Sequence, residues 1–230
     1  MSDKKKIVLI YVGVAVISLF ILGVSFLLSS LKKEQRRQEE ESGGVAQNVG
    51  TIVLDELAVL DEDYELERQD GEMVRLSQLH DKVWIAVQFY AACPMCAQRN
   101  QSTLLQIYNE FREEDDFLVT CFSVEPEQDD SEKMLKMQEG LEVDGKNWWF
   151  LKAEREPLFE FMEKKMFFTR IQERTNPLHI AEKGRWAHDL GIQVYRGNVL
   201  VHKWDEGHPY EQLQSEIREA LRELNQPEDE

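Results

Sequence analysis

At 230 residues the chain has room for one domain of ordinary size plus an attachment. Its 44 acidic residues outnumber 27 basic ones, giving a formal charge of −17, and no basic stripe with interleaved aromatics occurs, which argues against nucleic-acid binding. Three cysteines in a chain this long exclude a disulfide-built scaffold.

The attachment comes first. Residues 7–28, "IVLIYVGVAVISLFILGVSFLL", contain no charge and are long enough to cross about 30 Å of hydrocarbon as a helix. A cleaved signal peptide has an apolar run of about 7–15 residues and a small-residue cleavage site. Here the run is longer and leads into Ser29-Ser30-Leu31-Lys32-Lys33 with no Ala-x-Ala, so residues 1–31 read as a retained single-pass anchor. Lys4, Lys5 and Lys6 flank one end and Lys32, Lys33, Arg36 and Arg37 the other, so the positive-inside rule assigns no orientation. Residues 32–53 are polar, charged and glycine-bearing, the composition of a tether. Beyond residue 37 the chain holds 20 basic and 42 acidic residues, a formal charge near −22. Most of these acids read as solvated surface, with some free to attract cationic partners or metal ions.

The domain is expected over residues 54–226. Asp70-Gly71 lies between two short alternating runs, a hairpin signal. Residues 83–90, "VWIAVQFY", form a nearly continuous apolar, β-branched and aromatic run that suits a central strand buried on both faces. Cys93 and Cys96 follow, and Leu104, Tyr108 and Phe111 then mark one side of an amphipathic helix. Residues 117–124 read as a second buried strand, which also carries Cys121 as a core thiol. Asp129-Asp130-Ser131 offers an N-cap for a helix holding Met134, Leu135 and Met137. Trp148-Trp149-Phe150-Leu151 reads as a short core strand, and Pro157 suits the first turn of a helix with Phe159, Phe161 and Met162. Residues 190–195 and 199–204 pair around a turn at Arg196-Gly197-Asn198, and a last helix spans about 210–224. This order predicts an α/β fold of the thioredoxin type, a central mixed sheet flanked by helices. In such a fold a strand ends and a helix begins at the dithiol, where outward-pointing helical N–H groups favour thiolate.

With these landmarks the chain resembles the SCO/SenC family over roughly residues 57–224. "DGEMVRLSQLHDKVWIAVQFY" is similar to the family's opening hairpin and first core strand. "FSVEPEQDDSEKMLKMQEGLEVDGKNWWFL" resembles its strand ending in Ser-Val-Asp-Pro-Glu, its capped helix and its Trp-x-Phe-Leu strand. "WAHDLGIQVYRGNVLVHKW" resembles the segment where the family places its metal-binding histidine, here His188. The resemblance implies a membrane-tethered thioredoxin-fold protein that binds copper and delivers it to a cytochrome c oxidase subunit or another copper-receiving protein. It also implies a domain on the oxidising side: the periplasm for a bacterial inner membrane, the intermembrane space for a mitochondrial one. One departure stands out. The family separates its two cysteines by three residues; Cys93 and Cys96 are separated by two, as in thioredoxin-like oxidoreductases.

Two chemistries therefore stay open. Cu(I) is soft and prefers thiolate and imidazole, so Cys93, Cys96 and His188 make a three-coordinate copper site. Alternatively, Cys93 attacks and Cys96 resolves in thiol–disulfide exchange. Counting back from Gly197, the place of the cis-proline of general oxidoreductases holds Asp189, next to His188, which favours copper. A purely structural Cys93–Cys96 bridge would close too short a loop to stabilise the fold much. The Thr/Ser-x-x-Cys context of peroxidases is missing, since Tyr90 stands three before Cys93. Of the other histidines, His202 reads as a surface strand residue, His208 and His80 as loop and turn residues. His179 lies in a long segment able to fold over the dithiol. Pro94 reads as stiffening the turn entering the helix, and Met95, whose thioether could also reach copper, as shaping a docking surface.

Overall fold

The structure, a computed structural model, describes residues 58–93, 101–204 and 210–226. The expected anchor and tether, and Cys96 with its neighbours, lie outside the described residues. Among those described, no helix is long and apolar enough to cross a membrane.

The strand β1 (Glu65–Arg68) and β2 (Met73–Arg75) form the expected hairpin. At its turn Gly71 takes φ +85°, and the Asp70 carboxylate accepts the Glu72 N–H at 3.1 Å. A 3-10 turn, Leu76–Leu79, leads to β3 (Val83–Phe89), buried along its whole length. Helix α1 (Gln101–Phe111) crosses to β4 (Phe117–Ser123), α2 (Ser131–Leu141) to β5 (Trp148–Lys152), and α3 (Arg155–Lys164) follows. Then come β6 (Gln172–Glu173), α4 (Pro177–Lys183), β7 (Trp186–Ala187), β8 (Ile192–Arg196), β9 (Val199–Trp204) and α5 (Tyr210–Leu224).

Seven strands make one sheet in the order β2-β1-β5-β4-β3-β8-β9. The three central strands run parallel and the outer ones antiparallel. Alternation along β3 sends Val83, Ile85, Val87 and Phe89 to one face, where α1, α2 and α5 contribute Ile107, Met134, Leu213 and Ile217. Trp84 and Ala86 face the other side, where α3 packs Leu158, Phe161 and Met162. The fold is thus the mixed sheet with helices on both faces that the sequence predicts. Cys121 is free and buried, as expected. Asp130 is the residue that caps α2, accepting the Lys133 N–H at 2.8 Å, while Asp129 turns inward.

One part of the architecture differs from expectation. The segment 170–186, read from the sequence as a long irregular connection, is a small excursion. Strands β6 and β7 pair antiparallel, and α4 sits between them. Asn176 accepts the Leu178 N–H, Pro177 opens the helix, and Gly184 closes it at φ +81°. Helix α4 has no buried residue, so no apolar period marks it.

Candidate functional site

The site lies where β3 ends and where β7 leads back toward β8. After Phe89 the chain turns through Tyr90, Ala91 and Ala92, and the Cys93 N–H donates to Tyr90 O at 3.0 Å. Cys93 is half-buried, packs against the face of the sheet covered by α3, and is disulfide-bonded.

The turn is held from beneath by a carboxylate. Asp129, 1% exposed, accepts the Ala91 N–H at 3.0 Å on Oδ1 and the Ser123 hydroxyl on Oδ2. Burial raises its carboxyl above the usual range, outweighing the bonds from Ser123 and Ala91.

His188 arrives from the opposite side, one residue beyond β7. Its Nε2 lies 4.0 Å from Cys93 Sγ. Its Nδ1 is 2.7 Å from Asp189 O. A carbonyl oxygen can only accept, so Nδ1 carries the proton and the Nε2 lone pair is left facing the sulfur. Burial holds the imidazole below the ordinary histidine range, and the nearby Arg174 guanidinium adds to that. The ring meets Tyr90 edge-on, with centroids 5.6 Å apart. Arg174 also ties the excursion together: its Nη1 donates to Gly184 O at 3.0 Å and to Trp186 O.

Of the three residues singled out from the sequence, the structure brings Cys93 and His188 together across 95 positions. Cys96 lies outside the described residues, and no group of three or more His, Cys, Asp or Glu able to hold a metal occurs among those described. His202 is a partly exposed strand residue, as read, and its Nε2 meets a Glu216 carboxylate oxygen at 2.6 Å. His80 is exposed beside the 3-10 turn and His179 is half-buried on α4. His208 lies outside the described residues. Sequence reasoning missed Gln88, which sits inside the apolar run of β3, and it saw Asp129 only as part of a capping signal.

Residues 54–147 match the SCO1/SenC family model. No curated protein matches the chain by sequence. Among solved structures, the chain is similar to a SCO1/SenC family lipoprotein from Bacillus anthracis (strain Ames), at 20% identity and TM-score 0.62, covering 73% of this chain and 98% of that one. It is also similar to BsSco, described as a member of the Sco family of cytochrome c oxidase assembly proteins, at 22% identity and TM-score 0.57 over 72% and 95%. A third likeness is to Arabidopsis thaliana ScoI with copper bound, at 16% identity and TM-score 0.56 over 71% and 99%. At these identities the structural likenesses carry the fold, a Sco-type thioredoxin-like sheet. Residues 54–147 thus match the SCO1/SenC family model, and the described domain shares its fold with solved Sco proteins.

Proposed function

We propose that this chain is a membrane-anchored metallochaperone that binds one copper ion and passes it to a copper-receiving protein, with a cytochrome c oxidase subunit as the recipient. The reading rests on one observation: Cys93 Sγ and His188 Nε2 face each other at 4.0 Å. A first-row ion bonded to sulfur at about 2.3 Å and to imidazole nitrogen at about 2.0 Å can span two donors up to roughly 4.3 Å apart. The gap therefore suits a shared ion. The donors also suit copper, since a thiolate and a neutral imidazole are what Cu(I) prefers. The Nδ1–H bond to Asp189 O fixes the imidazole in the form that offers Nε2. Cys96 would supply the second sulfur. Proteins of this fold named for bound copper or for oxidase assembly support the reading. Handing over an ion by ligand exchange makes the chain a carrier and not an enzyme.

In the anchored form residues 1–31 would hold the domain at a membrane, on its oxidising side. The disulfide at Cys93 suits such a compartment. It also means that the sulfurs must be reduced before they can bind metal.

The test is a Cu(I) titration of the reduced full-length chain. The expected result is one tight equivalent, lost in Cys93→Ser and Cys96→Ser and weakened in His188→Ala. A wild-type chain that takes up no copper after reduction would overturn the reading.

The same disulfide favours a second reading, a tethered thiol–disulfide oxidoreductase that keeps another protein's cysteines reduced. It predicts that the reduced chain cleaves a test disulfide at an unchanged rate after His188→Ala.

A further inference from the structure

The ladder between β3 and β8 extends no further than the pair Ala86↔Gln193. From Ala187 to Gly191 the chain has left that ladder, yet it must hold a fixed course for His188 to stand at Cys93. Its backbone N–H groups find side chains instead. The Asp189 N–H donates to Gln88 Oε1 at 2.8 Å, and the Gly191 N–H donates to Asp189 Oδ1 at 2.8 Å. Asp189 Oδ2 takes the Thr169 N–H, also at 2.8 Å, from the loop before β6.

Gln88 and Asp189 are 5% and 7% exposed. A primary amide buried in an apolar strand costs free energy unless it is paired, and its neighbours on β3 manage with apolar side chains. The Gln88 amide is paired at both ends, since its Nε2 donates to Met162 Sδ at 3.6 Å and thereby keeps Oε1 turned to Asp189. The consequence is geometric. Strand β3 runs directly into the turn that carries Cys93, and through one side chain it also grips the residue that follows His188.

We propose that Gln88 is a positioning residue for the metal site: its amide oxygen fixes the His188 segment against the strand that carries Cys93, and so sets the separation of sulfur and imidazole. This deepens the copper reading and rests on it. Gln88 touches no metal itself; it acts through Asp189.

The experiment is a double-mutant cycle on the reduced full-length chain, measuring Cu(I) affinity in wild type, Gln88→Met, His188→Ala and the double variant. Methionine keeps the length and burial of the side chain and removes the oxygen. Gln88→Met should weaken Cu(I) binding by roughly tenfold or more. It should have no further effect once His188 is gone. Unchanged affinity in Gln88→Met overturns the proposal, and so does an equal loss in the His188→Ala background, which marks general damage to the fold. A second measurement needs no folded variant. The Asp189 amide of the wild-type, metal-free chain should exchange with solvent far more slowly than an exposed loop amide, and fast exchange overturns the proposal. If His188→Ala leaves Cu(I) affinity unchanged in an otherwise wild-type chain, it is the copper ligand set that fails. The exchange rate of Asp189 still reports whether Gln88 holds the segment.

Discussion

Asp129 holds the backbone that delivers Cys93, and what it does depends on its charge. Replacing it by alanine leaves the Ala91 N–H and the Ser123 hydroxyl without their buried acceptor. Asp129→Ala should therefore lower the unfolding free energy by about 1–3 kcal/mol, measured by urea denaturation. The pH dependence has a definite sign. Burial raises the folded-state pKa above the unfolded one, so the folded chain binds the Asp129 proton more tightly. Between the two values the native state holds more protons, and stability falls as pH rises from the ordinary carboxylate range upward. Asp129→Asn, which keeps an oxygen for Ala91 and carries no charge, should flatten that decline. A variant whose stability falls with pH as steeply as wild type would show that other groups cause it.

Residues of this kind explain what the sequence leaves hidden. Cys93 and His188 are legible because a CxxC pair and a family resemblance single them out. Gln88 and Asp129 carry no such mark. A glutamine in "VWIAVQFY" looks like a small interruption of an apolar strand, and its partner Asp189 stands 101 positions away. Only the folded chain shows that the interruption is a bond.

At the scale of elements, legibility follows burial. β3, β4 and β5 announce themselves because both faces are covered and most of their residues are apolar, with Gln88, Thr120, Ser123 and Lys152 the exceptions. Helix α4 stays silent because nothing on it is buried, although Asn176, Pro177 and Gly184 carry its start and stop signals. That difference makes a prediction. Asn176→Ala removes the bond to the Leu178 N–H and should destabilise α4 by about 0.5–2 kcal/mol. Because the helix contributes no core residue, the loss should stay local. Amide exchange across residues 178–183 should accelerate while the urea midpoint of the domain stays put, and a shifted midpoint would mean that α4 supports the core. The opposite holds where β8 begins. A Cβ on Gly191 would meet Trp204 O at 2.2 Å and Asp189 Oδ1 at 2.8 Å. Backbone cannot move aside as a flexible side chain can. Gly191→Ala should force β8 from β9 and cost about 1–3 kcal/mol or more, seen as a lowered urea midpoint.

The whole domain is two apolar clusters that share one sheet. Leu158 on α3 belongs to the cluster that also packs Cys93, and Ile217 on α5 belongs to the other; both are fully buried. Neither cluster has a sheet of its own: Trp84 and Ile85 are neighbours on one strand and face opposite sides. Losing either cluster strips one face of the same seven strands, so the two should melt together as one cooperative unit. Leu158→Ala and Ile217→Ala should each cost about 2–5 kcal/mol. With the sheet between them and no shared partners, the two losses should add to within about 0.5 kcal/mol in the double variant. All five tryptophans lie between Trp84 and Trp204, so their fluorescence reports this domain and nothing from residues 1–57. Each variant should show a single urea transition with an unchanged slope. A second transition, or a double variant far from the sum, would mean that the α3 face, and Cys93 with it, can open while the other face stays folded.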